Sequence, residues 1–268
     1  MADKYIMLER ASRLIRSYEV AGGDDSDAGL RKGFEHYGRR PEIPDSGRPG
    51  NAGLTIGFGH DLGQSTKEEI DWFYGPTDKD GNPQREILTK AQREQLKKYA
   101  GKKVFKKGEK EAALKATRDI EMSYEDAAQV FEKHLLVKKA LEPARKAYPG
   151  FDDLPWQQQA AILDRTYMRG SGPNKSEGKR GKQLWMQLHA AIYKRDTEKV
   201  YATLKAMEAL HKPSKLKSST AGRARTRADL AKEGVGQPLS QNSAPLSEAG
   251  MTDRLDTRGP SMISNMYA

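Results

Sequence analysis

The stretch LTIGFGHDLG, residues 54–63, holds the clearest structural signal in the sequence. Its opening Leu-Thr-Ile favours a β-strand, because apolar and β-branched side chains fit a pleated, half-buried surface. Gly57 and Gly59 follow, and glycines in such a run mark a bend or a close approach of another backbone. We therefore predict that this stretch is one strand of a small hairpin or sheet.

The sequence before this stretch opens with a helix. Apolar side chains recur on one helical face of residues 8–18, and the pair Gly22-Gly23 ends the pattern. Glu19 therefore falls on the last turn of that helix. From there to residue 53 the sequence is rich in Gly, Asp, Arg and Pro, which predicts no long element.

The sequence after the stretch is helical almost throughout. Three pairs of residues have the spacing of helix N-terminal caps: Thr66 with Glu69, Thr89 with Gln92, and Ser123 with Asp126. Pro143 lies inside the third helical pattern and should kink or end it. Together these patterns predict an α+β fold that is mostly helical, with a small N-terminal β-hairpin or sheet and a C-terminal helical lobe.

Residues 1–235 are expected to form one domain of this fold, and no internal repeat is visible in them. Residues 236–268 differ, because they are rich in Ser, Pro, Gly, Asn and Met and show no periodicity. Such a composition predicts a flexible C-terminal tail.

The composition limits which partners the protein can have and which kinds of catalytic or metal site it can form. The chain of 268 residues has 47 Lys and Arg against 37 Asp and Glu, and its formal charge of +10 favours nucleic acid, an anionic lipid surface or a charged wall polymer as partner. The absence of cysteine excludes disulfides, thiolate zinc sites and a cysteine nucleophile. The histidines lack the i, i+4 spacing of metal ligands, so no metal or other cofactor is predicted. No apolar run reaches about 18 residues, so no membrane insertion is expected.

Several polar side chains near the N-terminus form a set that could cleave a glycosidic bond. They are the helix-end carboxylate of Glu19, the hydroxyl of Thr55, and the carboxylates of Asp45 and Asp61. The reaction needs one carboxylic acid to protonate the leaving oxygen and a second carboxylate to activate water or stabilise charge on the sugar. Arg169, at a predicted helix end, is either a substrate contact or a helix C-terminal charge.

The same stretch resembles a known family. TIGFGHDLG, preceded by a helix ending in SYE and by PDSG, resembles the phage-type lysozymes (muramidases). DLGQ at 61–64 is similar to their pesticin-like branch, found in bacteriocins and secreted antibacterial effectors. AAILDRTYMRGSG at 160–172 and AGRARTRADLAKEG at 221–234 are similar to the family's core helix and its arginine-rich closing helix. The resemblance spans residues 5–234 and implies a lysozyme-like fold.

The resemblance also implies roles for individual residues. Glu19 matches the helix-terminal general acid, and Thr55 matches the strand threonine that positions the attacking water. Glu35 is the rival acid, since GFEHYGRRPEIPD also resembles the family's segment from Glu to Asp. We prefer Glu19, because Gly29 and Gly33 would weaken a helix leading into Glu35 by about 1 kcal/mol each.

The second carboxylate has two candidates. The phage branch places it before the strand, where Asp45 stands in PDSG, and the pesticin-like branch places it after the strand, where Asp61 stands in DLGQ. We favour Asp61, because DLGQ is the more distinctive string and Asp61 lies only six residues past Thr55.

The function that the resemblance implies is a peptidoglycan hydrolase (muramidase), which cleaves the β-1,4 bond between N-acetylmuramic acid and N-acetylglucosamine without a cofactor. Glu19, protonated beside a partly apolar cleft wall, would be the acid. Inversion would place the two carboxylates about 6.5–9.5 Å apart. Under this interpretation the protein has no nucleic-acid partner. The alternatives are a lytic transglycosylase on the same substrate, a basic nucleic-acid-binding or structural protein, and a catalytically silent wall-binding protein.

The N-terminal sequence bears on how the protein would reach a target outside the cytoplasm. MADKYIMLERASRLIRSYE lacks the uninterrupted apolar segment of a signal peptide. We therefore expect synthesis in the cytoplasm and action in the periplasm or cell wall of a target bacterium after delivery, as a phage endolysin or as a secreted antibacterial effector. The DLGQ string favours the effector, which implies a secretion apparatus and a cognate immunity protein.

Overall fold

A computed structural model describes residues 2–20, 23–43, 53–106, 108–173, 177–211 and 220–239. Within these ranges the protein is mostly helical with one two-stranded antiparallel sheet, which confirms the predicted α+β class. The strands are β1 (Thr55–Ile56) and β2 (His60–Asp61). The helices are α1 (Ala2–Val20), α2 (Asp27–Tyr37), α3 (Lys67–Tyr74), α4 (Lys90–Lys97), α5 (Glu109–Thr117), α6 (Tyr124–Val130), α7 (Glu142–Ala147), α8 (Trp156–Arg169), α9 (Gly178–Tyr193), α10 (Thr197–Glu208) and α11 (Thr220–Glu233).

The predicted hairpin is confirmed. Thr55 of β1 pairs with Asp61 of β2, and the residues between the strands form a tight turn. Gly57 and Gly59 in that turn have φ of +67° and +80°. Residues with a side chain rarely adopt this left-handed backbone region, so the two glycines permit the turn. On the other side of β1, Glu42 exchanges two backbone hydrogen bonds with Thr55, at 2.8 and 2.7 Å.

The prediction that residues 22–53 hold no long element is wrong, because α2 lies there. Its first turn is capped by the Ser26 hydroxyl, which accepts a hydrogen bond from the Gly29 N–H at 3.0 Å. Its apolar face buries Phe34, whose ring lies 5.2 Å from that of Phe58 in the hairpin turn. Cap and aromatic burial together outweigh the glycine penalty in this helix.

The three predicted helix starts are confirmed. Each Ser or Thr accepts a hydrogen bond from the backbone N–H three residues later, and the first two pairs close full capping boxes. Such caps satisfy N–H groups that have no partner within the helix.

The helix that contains Pro143 continues to Ala147 instead of ending early. After α6 its hydrogen bonding widens into two π-helical turns, Phe131–Leu135 and Val137–Leu141, and α7 then begins with Pro143 in its first turn. Proline has no backbone N–H, so it donates no hydrogen bond to the widened turn that precedes it. The helix therefore does not end at Pro143, and the predicted kink stays a prediction.

One hydrophobic cluster extends from Met7 in α1 to Ala231 in α11. Helix α8 packs against α1, α11 and the Val137–Leu141 turn. The domain limit at residue 235 stays a prediction, and residues 240–268 of the predicted tail lie outside the described residues.

The length and polarity of the helices bear on whether any of them could span a membrane. Among the described residues, every helix is too short or too polar to cross a bilayer.

The cap of α2 leads to a test of why this helix forms. Replacing Ser26 by Ala removes the acceptor for the Gly29 N–H, so we expect the free energy of unfolding in urea to fall by about 1 kcal/mol. Ser26→Asp keeps an acceptor and should stay close to the wild type. An unchanged urea midpoint for Ser26→Ala would show that the cap does not stabilise α2.

Candidate active site

Glu19 lies on the last turn of α1, as predicted, and its carboxylate rests against the hairpin turn. A Cβ at Gly59 would lie 2.9 Å from Oε2 of Glu19, so a side chain at that position would push the carboxylate away from the turn. The side chain of Glu19 keeps 25% of its surface exposed, which leaves the carboxylate within reach of a ligand. The turn therefore sets how closely the carboxylate approaches the hairpin backbone.

Thr55 and Asp61 share one face of the hairpin. Directly paired residues of antiparallel strands project to the same side, and these two residues are cross-strand partners. Both are partly exposed, whereas the other pair, Ile56 and His60, is buried. The structure thus brings the predicted threonine and second carboxylate together, and Asp61 follows the glycine that contacts Glu19 by two residues.

The carboxylate of Asp61 is fixed by its own loop. Oδ1 accepts a hydrogen bond from the Gly63 N–H at 2.8 Å, and Oδ2 accepts one from Nε2 of Gln64 at 2.7 Å. A Cβ at Gly53 would clash with Oδ1, so the backbone passes directly over the carboxylate. Three of the four residues in the string DLGQ, Asp61, Gly63 and Gln64, therefore take part in the contacts that fix this carboxylate.

His60 supports the hairpin from its buried side. Its Nε2 lies 2.7 Å from the Ser65 hydroxyl, and its Nδ1 contacts the Tyr74 hydroxyl. Burial holds the pKa of His60 well below its usual value, and the charges of Lys139 and Lys138 add to the effect. A neutral imidazole between two hydroxyls anchors β2 to α3.

An ion network fixes Glu19 from the side of the C-terminal lobe. Nη1 of Arg223 in α11 donates to Oε1 of Glu19 at 3.2 Å, and Nε of Arg223 donates to Oδ1 of Asp164 at 2.8 Å. Arg227 donates to the second oxygen of Asp164, also at 2.8 Å. The expected apolar wall beside Glu19 therefore includes an arginine, whose guanidinium also lies 5.0 Å from the ring of Tyr18.

Asp164, at the centre of this network, is fully buried on α8. Burial alone would raise the pKa of Asp164, but the charges of Arg223 and Arg227 and their hydrogen bonds outweigh it, so the pKa lies below its usual value. A buried carboxylate is stable only when it is paired in this way.

Lys139 adds a cation that the sequence did not indicate. Its Nζ lies 5.5 Å from the ring centroid of Tyr167, and it projects from the Val137–Leu141 π-helical turn. Burial lowers the pKa of Lys139, whereas the charges of Glu19 and Asp61 act to raise it. Its ammonium group is therefore within electrostatic range of both carboxylates.

Glu42 is a further carboxylate beside the site. Because its backbone pairs with Thr55, Glu42, Thr55 and Asp61 form a row across three adjacent backbone segments. At a strand spacing of about 4.8 Å, the outer two residues of this row are about 10 Å apart. Burial raises the pKa of Glu42, and the charge of His36 opposes this.

Glu35, the rival acid, does not join this group. Glu35 is on the exposed face of α2, where its Oε2 accepts a hydrogen bond from Nη1 of Arg39 at 3.1 Å. Arg169 ends α8 close to His211, whose pKa is lowered by burial and then by the charge of Arg169. Asp45 lies outside the described residues. The structure therefore groups Glu19, Thr55 and Asp61, but not Glu35.

Sequence reasoning missed some of these roles although signals existed. Asp164 interrupts the apolar run AAIL in the middle of a helix, which is typical of a buried, paired charge. Arg223 and Arg227 have the i, i+4 spacing that lets both contact one carboxylate. Lys139 and Glu42 have no such signal.

The site suits acid–base chemistry on an extended substrate. It combines a solvent-accessible carboxylate at a helix end with a hydroxyl and a second carboxylate on a partly exposed hairpin face. Groups of three or more metal-ligating side chains are absent from the described part of the chain. Comparison with protein-family models gives no match, and comparison with curated proteins gives none either.

The Asp164 network leads to a stability prediction. Asp164→Asn leaves two buried guanidinium groups without their carboxylate, so we expect the free energy of unfolding to fall by about 3–5 kcal/mol. Asp152→Asn is the matched control, since it removes a half-exposed pair with Arg145 and should cost at most about 1 kcal/mol. Equal losses in the two variants would contradict the structural role of Asp164.

The same carboxylate predicts a pH dependence. Its pKa is lower in the folded than in the unfolded protein, so its stabilisation is present above the usual Asp pKa of about 3.9 and is lost as pH falls through the folded value. Urea unfolding at a series of acidic pH values should show this loss in the wild type. The slope should be weaker in Asp164→Asn.

Proposed function

We propose that this protein is a muramidase with a lysozyme-like fold, which hydrolyses the β-1,4 bond between N-acetylmuramic acid and N-acetylglucosamine in peptidoglycan. One observation carries the proposal: the carboxylate of Glu19 is held against the turn of a hairpin whose partly exposed face bears Thr55 and Asp61. The resemblance of TIGFGHDLG and DLGQ to muramidase motifs agrees with that placement.

In the proposed reaction Glu19 is the general acid and Asp61 the general base. Glu19 gives its proton to the glycosidic oxygen as the bond from that oxygen to the anomeric carbon breaks. A water held by Thr55 attacks the anomeric carbon from the opposite face, and Asp61 accepts the proton of this water. The anomeric carbon is inverted and becomes a reducing end, and the leaving oxygen becomes a free hydroxyl on the other fragment.

The bonds to Asp61 suit this role. Its oxygens accept from one backbone N–H and one side-chain amide, which fixes the carboxylate, and no cation of the described residues pairs with it at short range. Each carboxylate oxygen has two acceptor positions, so each can still bind a water molecule. We therefore prefer Asp61 to Asp45 as the base.

The proposal extends to substrate and setting. The formal charge of +10 suits adsorption to an anionic bacterial wall. We propose that the protein acts there as a secreted antibacterial effector or a phage endolysin, and that an effector would be matched by a secretion apparatus and a cognate immunity protein. Expression in bacteria with and without an added periplasmic signal tests this setting. We expect lysis only when the signal is present, and lysis without it would contradict a target in the periplasm.

Substitution of the carboxylates tests the assignment of roles. Glu19→Gln and Asp61→Asn should each lower the rate of reducing-end release from purified sacculi by about 10²–10⁴-fold, because each removes a proton-transfer group. Glu35→Gln is the matched control, since Glu35 is exposed on α2 and paired with Arg39, and it should keep the wild-type rate. A fully active Glu19→Gln would overturn the assignment.

The products separate the alternatives. Hydrolysis leaves reducing ends, whereas a lytic transglycosylase leaves 1,6-anhydro ends, and mass spectrometry distinguishes the two. Binding to sacculi without turnover would identify a catalytically silent wall-binding protein. Tight, steeply salt-dependent DNA binding without turnover would instead identify a nucleic-acid-binding protein.

A further inference from the structure

Glu42 lies beside the candidate site but has no part in the proposed reaction. Its backbone exchanges two hydrogen bonds with Thr55 of β1, at 2.8 and 2.7 Å, and Thr55 is the cross-strand partner of Asp61. Directly paired residues of antiparallel segments project to the same side. Glu42, Thr55 and Asp61 therefore form a row on one face of three adjacent backbone segments.

The neighbours of these three residues show which face the row occupies. Successive side chains of an extended segment alternate between its two sides. The residues on either side of each member of the row are buried or pack against the hydrophobic cluster: Pro41, Ile43, Leu54, Ile56, His60 and Leu62. The three members of the row are each partly exposed. The row is therefore the side of the hairpin that is open to solvent.

The carboxylate of Glu42 is partly withdrawn from water and has no partner among the described residues. No Lys, Arg or His nitrogen of these residues lies within 4.0 Å of its oxygens, and it accepts no hydrogen bond from them. Burial accordingly raises the pKa of Glu42. Glu35 of α2 differs, because it is exposed and paired with Arg39. A partly desolvated carboxylate on an open face can recover the lost hydration through hydrogen bonds from a ligand.

Glu42 and Glu19 flank the row from opposite sides. Glu19 approaches the hairpin at Gly59, next to β2, whereas Glu42 pairs along the far edge of β1. At a strand spacing of about 4.8 Å, the backbone of Glu42 is about 10 Å from that of Asp61. This distance exceeds the width of one pyranose ring. A sugar held between Glu19 and Asp61 therefore leaves room along the row for the next sugar of the same chain.

We propose that Glu42 is a further substrate-binding residue, whose carboxylate accepts hydrogen bonds from the hydroxyl or acetamido N–H groups of the neutral sugar next to the one that is attacked. The identity of this ligand rests on the proposed function. In that reaction the attacked carbon belongs to N-acetylmuramic acid, and because the two sugars alternate, its neighbour is N-acetylglucosamine.

The direct test measures binding of a neutral glycan. Isothermal titration calorimetry would follow a soluble N-acetylglucosamine oligomer with full-length Glu19→Gln protein, which should not cleave it, and with the same protein carrying Glu42→Leu or Glu42→Gln. We expect Glu42→Leu to weaken binding by about tenfold, because a hydrogen bond to a charged group is lost. Glu42→Gln keeps one acceptor oxygen and should lose less.

Glu35→Leu is the matched control, since it removes an exposed carboxylate from α2 and should leave the dissociation constant unchanged. If Glu42→Leu binds the oligomer as tightly as Glu35→Leu does, the proposal is overturned. It is also overturned if the parent protein does not bind the oligomer. The urea midpoint of Glu42→Leu should not fall, because a partly buried charge is replaced by an apolar group. Should this variant fail to fold, Glu42→Gln takes its place in the comparison.

Activity on sacculi provides a second readout and separates this proposal from the proposed function. In otherwise wild-type protein, Glu42→Leu should raise the half-saturating concentration of sacculi and leave kcat nearly unchanged. A fall in kcat alone would refute a binding role. An inactive wild type whose oligomer binding depends on Glu42 would refute the muramidase proposal and leave the binding role intact. An active wild type with unchanged kinetics in Glu42→Leu would refute the role of Glu42 alone.

Discussion

The buried carboxylate of Asp164 connects the C-terminal lobe to the candidate site through its contacts with arginines. It lies on α8, the helix that packs against both α1 and α11, and it binds two arginines of α11 at once. One of these, Arg223, extends to the carboxylate of Glu19 at the end of α1. The buried charge of Asp164 therefore helps to position the solvent-accessible carboxylate of Glu19. The same hydrogen bonds that hold α11 on α8 also hold this carboxylate in place.

The hairpin constrains the site from the opposite side. Gly59 gives the Glu19 carboxylate room, Gly53 gives Asp61 room, and the buried His60 keeps β2 attached to α3. None of these three residues needs to contact a substrate. The two glycines leave space for the carboxylates because they have no side chain, and the histidine supports β2 through both of its ring nitrogens. These needs explain why glycines and a histidine lie so close together in this stretch.

The parts that the sequence predicted correctly depend on local patterns. The hairpin, the capped helix starts and the helix-end position of Glu19 follow from spacing within a few residues. The parts that it missed depend on contacts between residues far apart in the chain. Helix α2 is stabilised by packing of Phe34 on Phe58, which a count of helix-weakening glycines does not include. Lys138 and Lys139 are neighbours in one π-helical turn that packs against α8, and only the structure shows that Lys138 is exposed and Lys139 half-buried.

The distance along the chain between the partners of Glu19 has a consequence for synthesis. Glu19 and Arg223 are 204 residues apart, and they meet only when α11 has docked on α8. On the ribosome, therefore, α1 and the hairpin emerge long before the arginine that completes their surroundings. Domains generally fold as units, so this arrangement awaits the emergence of α11. A nascent or truncated chain that ends before Arg223 contains both candidate carboxylates and yet lacks the assembled site, so a cell that makes this protein meets the complete arrangement only in finished molecules.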